Sequence, residues 1–274
     1  MGIFGGSFDR PGKGISKEEA AQRSYFDILG RHLWDLVKLN LLFVACNIVF
    51  LVAAALLILP YLFNLEEVVS SLFQGQVVLL PVLPFVPFLF MGPFIAGLTY
   101  VLRNWSRQEH AFIFSDFFEH TKKNWKQGLC LSVISTAITY VFLVAALYYL
   151  KSGLPVPLVL TLGAILAALL LIANFYTYPM VVTFQMKLKD ILKNAWIFTV
   201  AKLPQNLFFL LIISLVHILL LWYTPLVWGV LMAVVLISWT GFTMNYYTWY
   251  VMDKYMMSRV FKEEPEEAVF EDVK

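Results

Sequence analysis

Residues 77–101 read VVLLPVLPFVPFLFMGPFIAGLTYV, and their interpretation decides the fold. The run is long and apolar enough to cross a membrane, yet it holds Pro81, Pro84, Pro87 and Pro93. Each proline removes a backbone donor and collides with the carbonyl four residues back. Hydrocarbon cannot satisfy a freed carbonyl, so irregular backbone at membrane depth is tolerated only inside protein or beside a wet cavity. The segment is therefore expected to be a central, broken span wrapped by its neighbours. Pro81 fits the first helical turn, where a missing donor costs nothing. Pro84 and Pro87 are expected to keep the outer third irregular or 3₁₀-like, and Pro93 to kink the middle and free the carbonyl of Leu89. Gly92, Ala96 and Gly97 supply the small surface that lets helices approach closely.

The rest of the chain supports that frame. Of 274 residues, 60% are apolar and 14% charged, and the mean hydropathy is +0.76. Soluble domains carry roughly 45–50% apolar and about 25% charged residues. The excess falls into runs of about 20 residues, the length that crosses ~30 Å of hydrocarbon as helix. Alternating strand patterns of about ten residues, which a membrane barrel requires, are absent. The expected fold is all-α: a polytopic transmembrane helical bundle whose spans cover 39–63, 77–102, 128–150, 156–186, 203–222 and 226–248.

Basic residues set the orientation. Nineteen of the twenty Lys and Arg lie before span one, after spans two and four, or in the C-terminal tail; Lys151 alone lies in the other connections. Basic residues stay on the cytoplasmic side, which predicts both termini inside. Trp34, Trp105, Trp125, Trp196 and Trp249 then fall at the inner boundary, and Tyr61, Tyr148, Tyr149, Trp222 and Trp228 at the outer one, where amphipathic rings settle.

The cytoplasmic segments carry helix signals. SKEEA, with Ser16 and Glu19, and DFFE, with Asp116 and Glu119, have the spacing of a capping box. Tyr25, Leu29, Leu33 and Leu36 follow the first at helical spacing, Phe117, Phe118 and Trp125 the second. Leu188, Ile191, Leu192, Ala195 and Phe198 form a third set. With basic residues on the other faces, these predict amphipathic helices at the interface with anionic lipid of the inner leaflet. Asp116, Lys122, Lys123, Lys126, Lys187, Lys189, Asp190 and Lys193 make up the expected docking surface. The chain reads as amphipathic helix plus hairpin three times, about 16–102, 103–186 and 187–250. Residues 1–15 are expected to form a flexible tail, 16–250 the membrane domain and 251–274 an acidic tail.

Polar residues within the spans concentrate in the cytoplasmic halves. Asn40 and Asn47 share a face of span one, and Ser132, Ser135 and Thr139 a face of span three. Asn174 and Thr177 follow in span four; Ser238, Gly241, Asn245 and Thr248 form a stripe in span six. They serve either as interhelical glue, at roughly 0.6 kcal/mol per contact, or as the lining of a vestibule open to the cytoplasm. No Asp, Glu, Lys or Arg lies deep in a span, which argues against an ion pathway. His217 is the lone ionisable side chain there and reads as an interface hydrogen-bonder. Catalytic spacings such as HExxH or Ser/His/Asp are absent, which argues against an intramembrane enzyme. The segment GGSFDRPGKG fails as a phosphate loop, because Gly14 stands where Ser or Thr is needed. The N-terminus lacks the apolar core of a signal peptide. Cys46 and Cys130 have no CxxC or Cys/His spacing and read as small core residues, with no zinc or disulfide. No cofactor, metal or nucleic-acid partner is expected.

Three blocks carry a resemblance: RHLWDLVKLNLLFV (31–44), GPFIAGLTYVLRNWSRQEHAFIFSDFFEHTKKNWKQGL (92–129) and YPMVVTFQMKLKDILKNAWIFTVAKLPQNL (178–207). They resemble the YesL-like family, bacterial integral membrane proteins defined as a domain of unknown function. The resemblance implies six spans in the cytoplasmic membrane of a Gram-positive-type bacterium. Through genomic company it also implies a link with carbohydrate-uptake ABC systems, whose subunits are the possible partners. It brings no catalytic residues. The 187–204 segment is placed like a permease coupling helix but has Gln185 and Ile191 where Glu and Gly belong, which argues against a permease.

Overall fold

The structure, a computed structural model, describes residues 24–63, 70, 80–151 and 154–257. Among these the regular structure is helical throughout. The elements are α1 (Tyr25–Arg31), α2 (Leu33–Phe63), a 3₁₀ segment (Leu80–Phe85), α3 (Val86–Leu89), α4 (Gly92–Ser106), α5 (Ile113–Lys123), α6 (Trp125–Lys151), α7 (Val156–Thr183), α8 (Leu188–Ala201), α9 (Leu203–Tyr223), α10 (Pro225–Leu231) and α11 (Ile237–Met252). A π-helical segment, Met232–Leu236, joins α10 to α11, and a second, Asp253–Met257, follows α11. Among the described residues five helices, with Pro225–Met256 taken as one, are long and apolar enough to cross a membrane, and a bent pair gives a sixth crossing if counted as one span.

That bent pair is the proline-rich segment, and its two parts meet at 47°. The backbone around Pro84 is 3₁₀, as the prolines demand. Pro84 and Pro87 are buried, while Leu83, Phe88 and Phe90 face outward. The kink differs from the expected one. The helix ends before Phe90 and restarts at Gly92, so Pro93 stands in the first turn of α4, where a proline removes no helical hydrogen bond.

One capping expectation needs revision. Asp116 does not begin α5. The helix starts at Ile113, and the Asp116 carboxylate reaches back to accept the Phe112 N–H at 2.8 Å. Near the N-terminus, the expected box at Ser16 and Glu19 lies outside the described residues. Within the described residues a complete box forms at Ser24, whose hydroxyl accepts from Asp27 N–H while the Asp27 carboxylate accepts from Ser24 N–H. The single amphipathic helix expected through Tyr25, Leu29, Leu33 and Leu36 is broken at His32. Leu33 is 52% exposed, and Leu36 is fully buried within α2.

Helix α4 lies at the centre, packed against α2, α5, α6, α7 and α11. Ala96 joins an apolar cluster with Leu131, Ile172 and Tyr176. Leu98, Val101, Leu102 and Trp105 join another with Leu36, Leu39 and Phe242. The close packing depends on missing side chains. A Cβ on Gly92 would strike the backbone of Gly128 in α6, and one on Gly97 the Phe117 carbonyl in α5. The outer faces are apolar too: Val49 and Leu56 on α2, Leu160 and Ile165 on α7, and Leu211 and Leu215 on α9 are exposed. Exposed apolar faces over helices of this length suit lipid, not water.

Candidate functional site

At several breaks in the helices a side chain meets the freed carbonyls. The Leu89 carbonyl lies where α3 ends before α4 begins, and the Ser132 hydroxyl donates to it at 2.5 Å. At the Met232–Leu236 segment the Asn40 amide donates to the Met232 and Ala233 carbonyls at 2.9 and 2.7 Å. Its oxygen accepts the Ser238 N–H at 2.8 Å. At the end of α7, Arg103 donates to the Val182 carbonyl at 2.7 Å and the Thr183 hydroxyl at 3.1 Å. Its remaining donors engage Asn104, and its plane lies 4.6 Å from the Tyr100 ring centre. At the end of α8, Asn206 donates to Phe198 and Thr199 carbonyls at 3.0 Å each and accepts the hydroxyls of Tyr176 and Tyr247 at 2.6 and 2.8 Å. Gln127 meets the Met186 carbonyl beyond α7. Cations and amides at helix C-termini suit the negative end of the helix dipole.

The ten residues proposed as a vestibule fall into several places. Asn40 and Ser238 join α2 to α11, and Ser135 donates to Asn174 at 3.0 Å between α6 and α7. Ser132 serves the proline break. Thr139, Thr177 and Thr248 bond back to carbonyls of their own helices, and Thr139 is exposed. The amide nitrogens of Asn47 and Asn245 do the same, which leaves Asn47 Oδ1, Asn245 Oδ1 and Ser238 Oγ buried without a partner. His217 bonds Thr240 and accepts from Trp228, linking α9, α10 and α11 as an interface hydrogen-bonder does. Cys130, read as a core residue, is exposed on α6, and Cys46 is partly buried.

Of the expected docking residues, Lys122, Lys123, Lys126, Lys187, Lys189, Asp190 and Lys193 are exposed, and Asp116 is partly so. Phe112, Phe114, Phe118 and Trp125 are exposed beside the first group, and Trp196, Ile197 and Val200 beside the second. Trp105, expected as an interface ring, is buried instead and stacks on His32. Burial lowers the pKa of His32 and of His120, which stacks on Tyr100. Burial raises that of Tyr25, whose hydroxyl shares a 2.7 Å hydrogen bond with Thr243.

Cavities open at this end of the bundle. One, of about 420 Å³, is bounded by His120, Lys123, Gln127 and residues 181–186. A larger groove of about 730 Å³ lies between α9, α11 and the turn after α4. Among the described residues no three His, Cys, Asp or Glu side chains converge as a metal set.

Sequence reading missed Asn206, Tyr176, Tyr247 and the burial of Arg103. Arg103 was counted as a connection charge, although it lies seven residues from Ala96 and so on the same helix face. Asn206 follows Pro204 at a helix start, the place where a side chain can reach back to the preceding helix end. The profile of a family described as "Protein of unknown function, DUF624" matches residues 36–146. No curated protein and no solved structure matches the chain.

Proposed function

We propose that this chain is a non-enzymatic integral membrane protein, an accessory or regulatory component of a carbohydrate ABC-type uptake system. In this reading it crosses the bacterial cytoplasmic membrane six times as three helix pairs, with both termini inside. The similarity to DUF624 over residues 36–146 supports it, since that range takes in most of the first two resembling blocks. The observation that carries the reading is the exposed face of α5 and α8. Phe114 and Phe118 stand beside Lys122 and Lys123, and Trp196 and Val200 beside Lys189 and Lys193, all open to a partner or to anionic lipid. Aromatic side chains bordered by cations are the composition of interface anchors and of docking patches. Affinity purification after mild detergent extraction tests it. Transporter subunits are expected with the wild type and lost when Lys122, Lys123, Lys189 and Lys193 are changed to Glu. Recovery of none, under conditions that preserve known complexes, rejects the association.

A second reading is a facilitator or binding protein for a neutral hydroxyl-bearing solute or a lipid headgroup. The unpartnered buried oxygens of Asn47, Ser238 and Asn245 favour it, because buried polar atoms ordinarily have partners, protein or water. Solute flux into proteoliposomes tests it: uptake reduced by Asn47→Leu supports this reading, and no uptake above empty liposomes excludes facilitation.

A further inference from the structure

The groove between α9, α11 and the turn after α4 has a lining chemistry that neither reading uses. Tyr246 and Tyr250, four apart on α11, and Asp253, the first residue of the π-helical segment that follows, line the same side of the groove. Trp249 stands beside them, and Gln205 faces them from α9. Gln108 closes the third side in an unusual backbone state, with φ of 58°. It occupies the left-handed position of a helix-ending turn, with Gln108 N–H bonded to Trp105 O at 3.0 Å and Glu109 N–H to Asn104 O at 2.8 Å. Glycine is the residue such a position favours. A glutamine held there carries a backbone cost of roughly 1 kcal/mol, the kind of strain that collects at binding sites.

The electrostatics select the ligand. Arg107 is the cation of the lining, and it is already engaged: Glu109 lies 2.7 Å away, and the Trp249 ring centre 3.9 Å. Asp253, by contrast, has no ion partner among the described residues. The groove thus offers a carboxylate, the Gln205 amide and aromatic faces, with the one cation of its lining neutralised. Anions find little there, whereas a compact cation finds a counter-charge and ring faces. Ring faces attract ammonium groups by about 0.5–2 kcal/mol apiece, more as water is excluded. The Arg107–Trp249 contact shows that this aromatic set already accepts a cation.

We propose that this groove binds an ammonium-bearing ligand, seated against Asp253 and the rings of Tyr246 and Tyr250. The same chemistry has two sources, a free quaternary or primary amine and the ethanolamine headgroup of a membrane lipid. Tyr250 is 67% exposed, so the groove is open on a face that lipid or solvent reaches. The proposal is independent of any transporter association and stands or falls without it.

The test uses the full chain in nanodiscs made only of phosphatidylglycerol. Choline chloride is titrated calorimetrically against sodium chloride at equal ionic strength. In parallel, retention of phosphatidylethanolamine is counted by native mass spectrometry. Asp253→Asn and Tyr250→Ala alter exposed side chains and are expected to keep the wild-type melting temperature. Both are expected to weaken binding about tenfold or more. Gln108→Gly is expected to weaken binding while raising the melting temperature. Saturable choline binding lost in Asp253→Asn supports a solute site, and retention of the ethanolamine lipid alone, lost in the same variant, supports a headgroup site. No response above sodium in either arm overturns the proposal. So does unaltered binding in Asp253→Asn and Tyr250→Ala, or saturation by glucose in place of choline.

Discussion

The two ends of the bundle are built on different principles. At the end holding α5 and α8, glycines meet backbone, and Arg103, Asn206 and Trp105 are buried in hydrogen-bonded or stacked arrangements. At the opposite end, Gly163 in α7 and Gly229 in α10 have nothing within 4 Å of an added Cβ. Leu158, Leu160 and Leu162 are exposed there, and the cavity between α6 and α7 is lined by apolar residues such as Phe142, Ala145 and Leu166. Along α7 the difference follows helix continuity, since Arg103 meets the carbonyls at its end and Gly163 lies in its unbroken run. Where helices break, their freed carbonyls must be met in place, and that forces close, specific packing. Where helices run unbroken, the backbone satisfies itself and lipid can do the rest.

This contrast is open to direct attack, beginning with the glycines. Gly97→Leu drives a side chain into the Phe117 carbonyl and is expected to cost about 3 kcal/mol or more, since backbone cannot yield as side chains do. Gly163→Leu is expected to stay within about 0.5 kcal/mol of wild type, as changes at unconstrained surface positions do. Unfolding in mixed micelles measures both, and equal effects would erase the distinction between the ends. Asn206→Leu removes the acceptor shared by the Tyr176 and Tyr247 hydroxyls and the side-chain donor to the Phe198 and Thr199 carbonyls, leaving a 3.4 Å bond between the tyrosines and the Lys202 N–H on Phe198, for an expected loss of about 2–3 kcal/mol. Asn174→Leu, which breaks one cross-helix bond to Ser135, is expected to cost about 0.6 kcal/mol.

A smaller effect belongs to the proline break. Ser132→Ala exposes the Leu89 carbonyl to an apolar surround and is expected to cost about 1–2 kcal/mol. Ser132→Thr keeps the hydroxyl and is expected to restore most of it. Should alanine prove neutral, the break is held by packing alone. The smallest effect is on pH. Burial holds His32 and His120 neutral in the fold, below their ordinary value of 6.5, against the opposing pull of Asp35 on one and Glu119 and Asp116 on the other; Lys123 and Arg103 add to burial at His120. The unfolded chain therefore takes up protons first as pH falls. Stability is complete above about pH 6.5 and declines as pH drops through the lowered values. Melting temperature is expected to fall by a few degrees toward pH 5, and His120→Gln is expected to flatten that slope.

Much of this was legible in the sequence. Apolar runs located the long helices, and the prolines announced a broken, buried segment with 3₁₀ character. Helix ends were less legible. Asp116 matched the capping spacing, yet α5 starts earlier, because a carboxylate one turn inside a helix also reaches back to the backbone. The site was the least legible. Asn40, Ser132 and Asn245 all read alike as polar residues in apolar runs, but Asn40 and Ser132 meet carbonyls at breaks in distant helices, whereas Asn245 bonds back to its own helix. Arg103 shows the same limit. A charge just past an apolar run signals a membrane boundary, and only the position of the α7 end makes it a buried cap.

The π-helical segment at Met232–Leu236 has a consequence for the whole run from α10 through α11. A segment of this kind accommodates one residue more than regular helix does, and each residue turns the chain by about 100°. Everything beyond the segment is thereby swung around the axis relative to what precedes it. Upstream, Leu226 and Val230 look outward; downstream, Ser238, Asn245 and Thr248 look inward. Asn40 acts as the latch on that rotation. Removing a single residue between 232 and 236 would turn the inward stripe away from α4 and present it to lipid, with no change in the composition of the helix.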